Sequence, residues 1–199
     1  MAHAKTSEIT AEAYLEGEVT AEFKSEYRHG HVFAMTGASV PHNIISMNIA
    51  TALYNALANE DCLVFHADVK VQIEEAAHYV YPDVSVVCGP IEYGMGREDV
   101  IANPSLVVEV LSQSTQDYDR GSKFAAYRNL PSLRDYLLVD QYRVLTEHFH
   151  RLQENDWSLK IRRHLSDSIH FGFQNISLDL GKIYRNTELT EASVSGKPK

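Results

Sequence analysis

Asp83, Glu109 and Lys123 are the residues of this chain whose types and settings point most directly to chemistry. Asp83 lies in Tyr81-Pro82-Asp83-Val84, and Glu109 interrupts the apolar run Leu106-Val107-Val108-Glu109-Val110-Leu111. A carboxylate set in a strand between valines and leucines loses hydration worth several kcal/mol unless a positive group meets it. Lys123 follows shortly after, behind Asp117-Tyr118-Asp119-Arg120-Gly121-Ser122. Two such acids and a lysine have the composition of a site for a hard divalent cation, which polarises an ester and activates water. The alternative is that each acid faces solvent at a strand end and that Lys123 is an ordinary surface lysine.

Histidines supply the next candidates. His42 follows Ser39-Val40-Pro41 at the start of a helical pattern, where exposed amides and the helix dipole favour an anion. It would touch a phosphate or a metal-held group there, or else simply pack on the turn. His29 and His31 are two apart and would share a face of an unbroken strand, yet no third ligand is near, which favours a wet strand face over zinc. His148 and His150 alternate onto one face of the Val144–Arg151 segment. The two cysteines, Cys62 and Cys88, have no metal-like spacing, so the expectation is no disulfide framework and a reducing, cytoplasmic location.

These residues need elements to hold them. Thr10 suits the cap of a short helix through Leu15, and Lys24 to Thr36 reads as strand with a turn or bulge at Gly30. Ile44, Ile45, Met47, Ile49, Leu53, Tyr54 and Leu57 recur at helical spacing. From Cys62 to Ile73 the period changes to two, with Phe65, Ala67, Val69, Val71 and Ile73 on one face and Val64, His66, Asp68, Lys70 and Gln72 on the other. His78 to Val87 is the hairpin partner, with Pro82 forcing an edge or bulge. Leu106 to Leu111 is the most apolar strand and therefore central. Asp119 is expected to cap a helix from Arg120 to Leu130 whose buried stripe is Phe124, Tyr127 and Leu130. Tyr136 to Val139 then makes a parallel crossover partner. Val144–Arg151, Trp157–His164 and Ile169–Leu180 follow as an antiparallel extension or a dimer surface.

Composition bounds the rest. A chain of 199 residues fits a single domain, expected over residues 1–185, with a disordered tail over 186–199. A net charge of -9 argues against a strongly basic nucleic-acid binder, although a bound cation can offset carboxylates gathered at one site. No apolar run approaches the ~20 residues of a membrane span, and no leader pattern opens the chain.

Several separate blocks together resemble one family. They are Ser25-Glu26-Tyr27, Gly30, Ala34-Met35-Thr36-Gly37-Ala38-Ser39 and His42-Asn43, then Tyr81-Pro82-Asp83-Val84, Val108-Glu109-Val110-Leu111-Ser112, Tyr118-Asp119-Arg120-Gly121, Lys123-Phe124, Tyr127 and Leu130-Pro131-Ser132-Leu133. The succession is similar to the bacterial Uma-two family of the PD-(D/E)xK nuclease superfamily, over about Glu26 to Tyr184. That resemblance implies an α/β (α+β) restriction-endonuclease-like fold, a mixed sheet flanked by helices with an antiparallel β extension. It implies a metal-dependent endonuclease acting on DNA phosphodiesters, with Asp83 and Glu109 holding Mg²⁺ or Mn²⁺. The superfamily lysine normally stands two residues after the second acid, where this chain has Leu111; in the family a lysine from the following helix replaces it, and Lys123 matches. Glu26 and His42 match additional acidic and histidine contributions, Lys70 is a further candidate to complete the site, and His31 departs from the family's Gly-Glu pair. A homodimer is expected for cutting both strands of a duplex. Leu111 and the acidic balance also fit a catalytically degenerate module that binds nucleic acid or protein. A third reading is a metal-binding assembly protein presenting His148 and His150 on its surface to another subunit.

Overall fold

The alternating segment that begins at Cys62 and its return from His78 form one long hairpin whose two halves enter different sheets. In the computed structural model, which describes residues 8–75 and 77–190, β3 (Cys62–His66) pairs antiparallel with β6 (Val84–Cys88). Beyond a break in each strand, β4 (Lys70–Glu74) pairs antiparallel with β5 (His78–Val80). The expected single strands over Cys62–Ile73 and His78–Val87 are therefore each two strands. Ala67 takes a left-handed backbone (φ 58°), and Pro82 cannot donate to a ladder, so the ribbon turns from one sheet into the other at these points. The alternation of side chains runs straight through the break, which is why the sequence pattern hides it.

The larger sheet has six strands in the order β11-β10-β9-β8-β6-β3. Its centre is β8 (Leu106–Leu111), parallel to β9 (Asp135–Asp140), and every residue of both strands is buried. β10 (Thr146–Gln153) and β11 (Asp156–Arg162) continue it antiparallel. The smaller sheet runs β2-β1-β5-β4-β7, with β1 (Ser25–Arg28), β2 (His31–Ala34) and β7 (Val100–Ile101). His29 (φ 46°) and Gly30 (φ 85°) form the two-residue turn between β1 and β2, so His29 and His31 do not share a strand face.

One face of the large sheet is covered by α2 (Val40–Ala56), by the hairpin of β12 (Ser168–Phe171) and β13 (Ile176–Asp179), and by α5 (Leu180–Ile183). There Ile45, Ile49 and Leu53 pack on Val84, Val108, Leu137 and Val139. The expected final strand over Ile169–Leu180 is thus a hairpin of its own, followed by a short helix. The opposite face meets Val71, Ile73 and Val80 of the small sheet, together with Phe124, Tyr127, Leu130 and Leu133. Between α3 (Gln116–Tyr118) and α4 (Phe124–Tyr127) lies one π-helical turn, Asp119–Lys123. The helical stretch begins at Gln116, so Asp119 is inside it with helical dihedrals and is not the expected cap. The cap expected at Thr10 is present: its hydroxyl accepts from Ala13 N at the start of α1 (Ala11–Glu18), which lies on the outer face of the small sheet against Tyr27, Tyr79 and Val100.

Cys62 and Cys88 face each other directly across β3 and β6 and are joined as a disulfide, contrary to the expectation of two separate thiols. Their 26-residue separation carries no hint of the pairing, which the hairpin register creates. Residues 1–7 and 191–199, the latter covering most of the expected tail, lie outside the described residues. Leu189 still packs against the core. Among the described residues no helix is long and apolar enough to cross a membrane.

Candidate active site

Glu109 sits on β8 with Val107 and Leu111, on the face turned toward the small sheet and the helical stretch. Its neighbour in the antiparallel pair is Asp83, which leads into β6; the Asp83 Oδ2 accepts a hydrogen bond from Val110 N at 2.7 Å. The π turn brings Lys123 over this face. Its Nζ lies 2.9 Å from Glu109 Oε1, 3.0 Å from Glu26 Oε1 and 3.7 Å from Asp119 Oδ1. Glu26 arrives from β1 of the other sheet, and Tyr81 N donates weakly to it at 3.4 Å. Lys123 and Glu109 are each 4% exposed, so this is a buried ion cluster and not a surface pair.

His42 completes one side. Ser39 caps α2 by accepting from His42 N, and the same hydroxyl donates to Gln141, whose amide donates to Leu111 O at 2.9 Å. This chain of contacts fixes the start of α2 beside the end of β8 and places His42 Nε2 3.4 Å from Asp83 Oδ2. Tyr127, fully buried, reaches Glu109 Oε1 at 3.5 Å, and the Tyr118 ring lies under Lys123 Nζ at 5.6 Å. The half-buried Arg28 stacks on the Tyr118 ring.

The electrostatics follow from three acids around one ammonium, with Asp83 beside them paired to His42. Burial pushes the Glu109 carboxyl well above the usual carboxylate range; Lys123 opposes this, while Asp119, Asp83 and Glu26 reinforce it. Burial raises Asp119 as well, against Lys123 and Thr115. For Lys123 burial disfavours the charge, but Glu109 and Glu26 outweigh it and hold the ammonium protonated well above its ordinary range. His42 is raised because the hydrogen bond and charge of Asp83 exceed the cost of burial. One lysine cannot balance Asp83, Glu109, Glu26 and Asp119, and this excess of oxygen-borne negative charge fits a hard divalent cation. Among the described residues neither Asp83 nor Glu109 belongs to a set of three ligating side chains within 4.8 Å of one another, and Mg²⁺, which keeps several waters, needs only one or two carboxylates.

Of the other sequence candidates, Lys70 is drawn away: its ammonium pairs with Asp99 at 2.8 Å and lies over the Tyr81 ring. His148 is not on the surface, being 2% exposed. Its Nε2 and the Nδ1 of His150 both lie against Asp135 Oδ1, at 2.7 and 2.9 Å. Sequence reasoning missed Asp119 as a member of the cluster, although its i,i+4 spacing to Lys123 was a usable signal. It also missed Tyr127, which was read only as core.

A mixed sheet flanked by helices gives this chain a restriction-endonuclease-like architecture. One solved structure similar in fold is a crystal structure from Anabaena variabilis described as "a putative nuclease belonging to DUF820", with a TM-score of 0.72 over 88% of this chain and 97% of that one, at 14% identity. The chain belongs to the Uma2 family, described as "Putative restriction endonuclease", whose profile matches residues 11–181. Two uncharacterised Synechocystis proteins are similar along nearly their whole length. The protein slr1290 is 38% identical over 177 residues, 89% of this chain and 92% of the relative. The protein sll1609 is 34% identical over 176 residues, 88% of this chain and 99% of the relative.

Proposed function

We propose that the chain is a divalent-cation-dependent endonuclease that hydrolyses phosphodiester bonds in DNA, with Asp83 and Glu109 as the metal-holding carboxylates. The observation that carries the reading is the position of the Lys123 ammonium, 2.9 Å from Glu109 on the strand where Leu111 occupies the superfamily lysine position. A divalent cation, Mg²⁺ or Mn²⁺, supplies Lewis-acid polarisation of the phosphate and a more acidic water. The protein's own groups do the rest. Lys123 offsets charge that accumulates on the phosphoryl oxygens, where a fixed cation acts most strongly in a site shielded from water. Glu26 and Glu109 hold that ammonium in place, and Asp119 faces it as a third carboxylate from within the π turn. His42, kept protonable by Asp83, orients the Asp83 carboxylate and can donate to a phosphate oxygen. Arg28 places a further cation beside the cluster for the nucleic-acid backbone, which helps to offset the overall negative charge. We include a homodimer in the proposal, since two related sites serve the two strands of a duplex.

The test is nicking of supercoiled plasmid with Mg²⁺ or Mn²⁺, combined with calorimetric titration of the cation. The expected result is nicking and binding in the parent chain, loss of both in Asp83→Ala and Glu109→Ala, and loss of nicking with retained cation binding in Lys123→Ala. Cation binding that survives both carboxylate changes rejects the reading. Binding without nicking in the parent chain instead favours the non-cutting module suggested by Leu111.

A further inference from the structure

The large sheet carries a second group of ligating side chains on the face opposite Glu109. Asp135, at the start of β9, shares its face with Leu137 and Val139; His148 and His150 on β10 alternate onto that same face, and His150 pairs in register with Asp135. Among the described residues these three form the one set of at least three histidine, cysteine or acidic groups whose ligating atoms all lie within 4.8 Å of one another. Three further features set the group apart from a simple hydrogen-bonded trio.

The Asp135 carboxylate is fully buried, and its only charged or titratable partners among the described residues are the two imidazoles, both of which address Oδ1. Its other oxygen, Oδ2, is buried with no hydrogen-bond partner among the described residues. Leaving a carboxylate oxygen dry and unpaired is costly. The rings are also held from behind. Phe171 meets the His148 ring edge-on at 5.2 Å, and Gly172 lies so close to His150 that a Cβ there would stand 2.3 Å from the imidazole Cε1. Finally, His150 lines a cavity of about 500 Å³, so one side of the group opens to a space that admits solvent or a ligand.

We propose that Asp135, His148 and His150 form a second cation site, selective for a borderline transition metal of the Zn²⁺ class and separate from the acidic centre. Two imidazole nitrogens and one carboxylate oxygen suit zinc, nickel or copper in place of the hard ions favoured by an all-oxygen set. Tetrahedral zinc at about 2.0–2.1 Å from its ligands spaces them about 3.3 Å apart. Starting from 2.7 and 2.9 Å, each nitrogen needs to draw back by roughly half an ångström. The protein then supplies three ligands, with the fourth position on the His150 side. The bound cation sets a full positive charge against the Asp135 carboxylate and cross-links β9 to β10. The inference does not depend on the nuclease reading.

The test uses the full chain, freed of metal by chelation and dialysis, titrated with Zn²⁺ by calorimetry and with Co²⁺ followed by its visible absorption. One equivalent is expected to bind, with a tetrahedral Co²⁺ spectrum, and an Asp83→Asn/Glu109→Gln double variant is expected to retain it. His150→Ala, at the least buried ligand, should weaken the site more than about 100-fold while circular dichroism stays unchanged. Gly172→Ala removes no ligand but displaces the ring, and should weaken binding about 10- to 100-fold. No stoichiometric binding in the parent chain, affinity unaltered by both His150→Ala and Gly172→Ala, or loss of the site in the double acid variant would overturn the proposal.

Discussion

Lys123 illustrates how much a single side chain carries when it is buried among opposite charges. Replacing it with methionine preserves volume but strips Glu109 and Glu26 of their shared cation, and breaking a buried pair in this way costs about 3–5 kcal/mol. The Lys123→Met variant should therefore unfold at lower urea than the parent at neutral pH. With the ammonium gone, the Glu109 carboxyl, already raised by burial, takes a proton more readily in the folded state than in the unfolded one. Its stabilising protonation is present at low pH and lost as pH rises, so the deficit should narrow toward pH 5 in urea titrations at the two pH values. His78 behaves in the opposite sense. Burial, then Arg28, Lys123 and His29, lower its pKa to about 4, while the unfolded side chain titrates near 6.5. The unfolded state binds the extra proton between these values, so stability should fall by about 3 kcal/mol as pH drops from 6.5 through 4. His78→Gln should flatten that part of the stability profile.

At the scale of elements, Arg151 shows how the site-bearing helix is anchored from outside the site. The buried guanidinium donates to the carbonyls of Arg128, Leu130, Leu133 and Glu154 at 2.7–2.8 Å and stacks on Trp157. It thus binds the end of α4 and the turn after it to β10. Arg151→Lys keeps the charge but cannot present a planar fork to four carbonyls, and should cost on the order of 3 kcal/mol in denaturant titration. The sequence made some of these elements plain and hid others for physical reasons. A run such as Leu106–Leu111, apolar but for one acid, can only be satisfied at the centre of a sheet, so its place and the discomfort of Glu109 are both legible. Residues 62–73 keep their alternation through a change of sheet, so the pattern gives no sign that Ala67 turns the chain. Asp119 looks like a cap because acids favour helix starts, whereas its actual role depends on a π turn that no local propensity announces. The group formed by Asp135, His148 and His150 required knowing that β9 lies beside β10, a pairing that spacing alone does not supply.

For the molecule as a whole, the Cys62–Cys88 bond closes the long hairpin at the rim of the large sheet. A cross-link closing a loop of that length stabilises by roughly 3 kcal/mol, so reduction, or a Cys62→Ala/Cys88→Ala pair, should lower the melting temperature measured by calorimetry by several degrees. The same hairpin has a mechanical side. Its two joints are bonded to each other, Ala67 N donating to Asp83 O at 3.0 Å, and Lys24 fastens them by donating to Ala67 O. The ribbon works as the spine of an opened book, with one sheet as each cover and Asp83 stitched into the fold. Any change in the angle between the covers bends the backbone beside residue 83 itself, so a tilt of one sheet on the other reaches that carboxylate with no intervening lever.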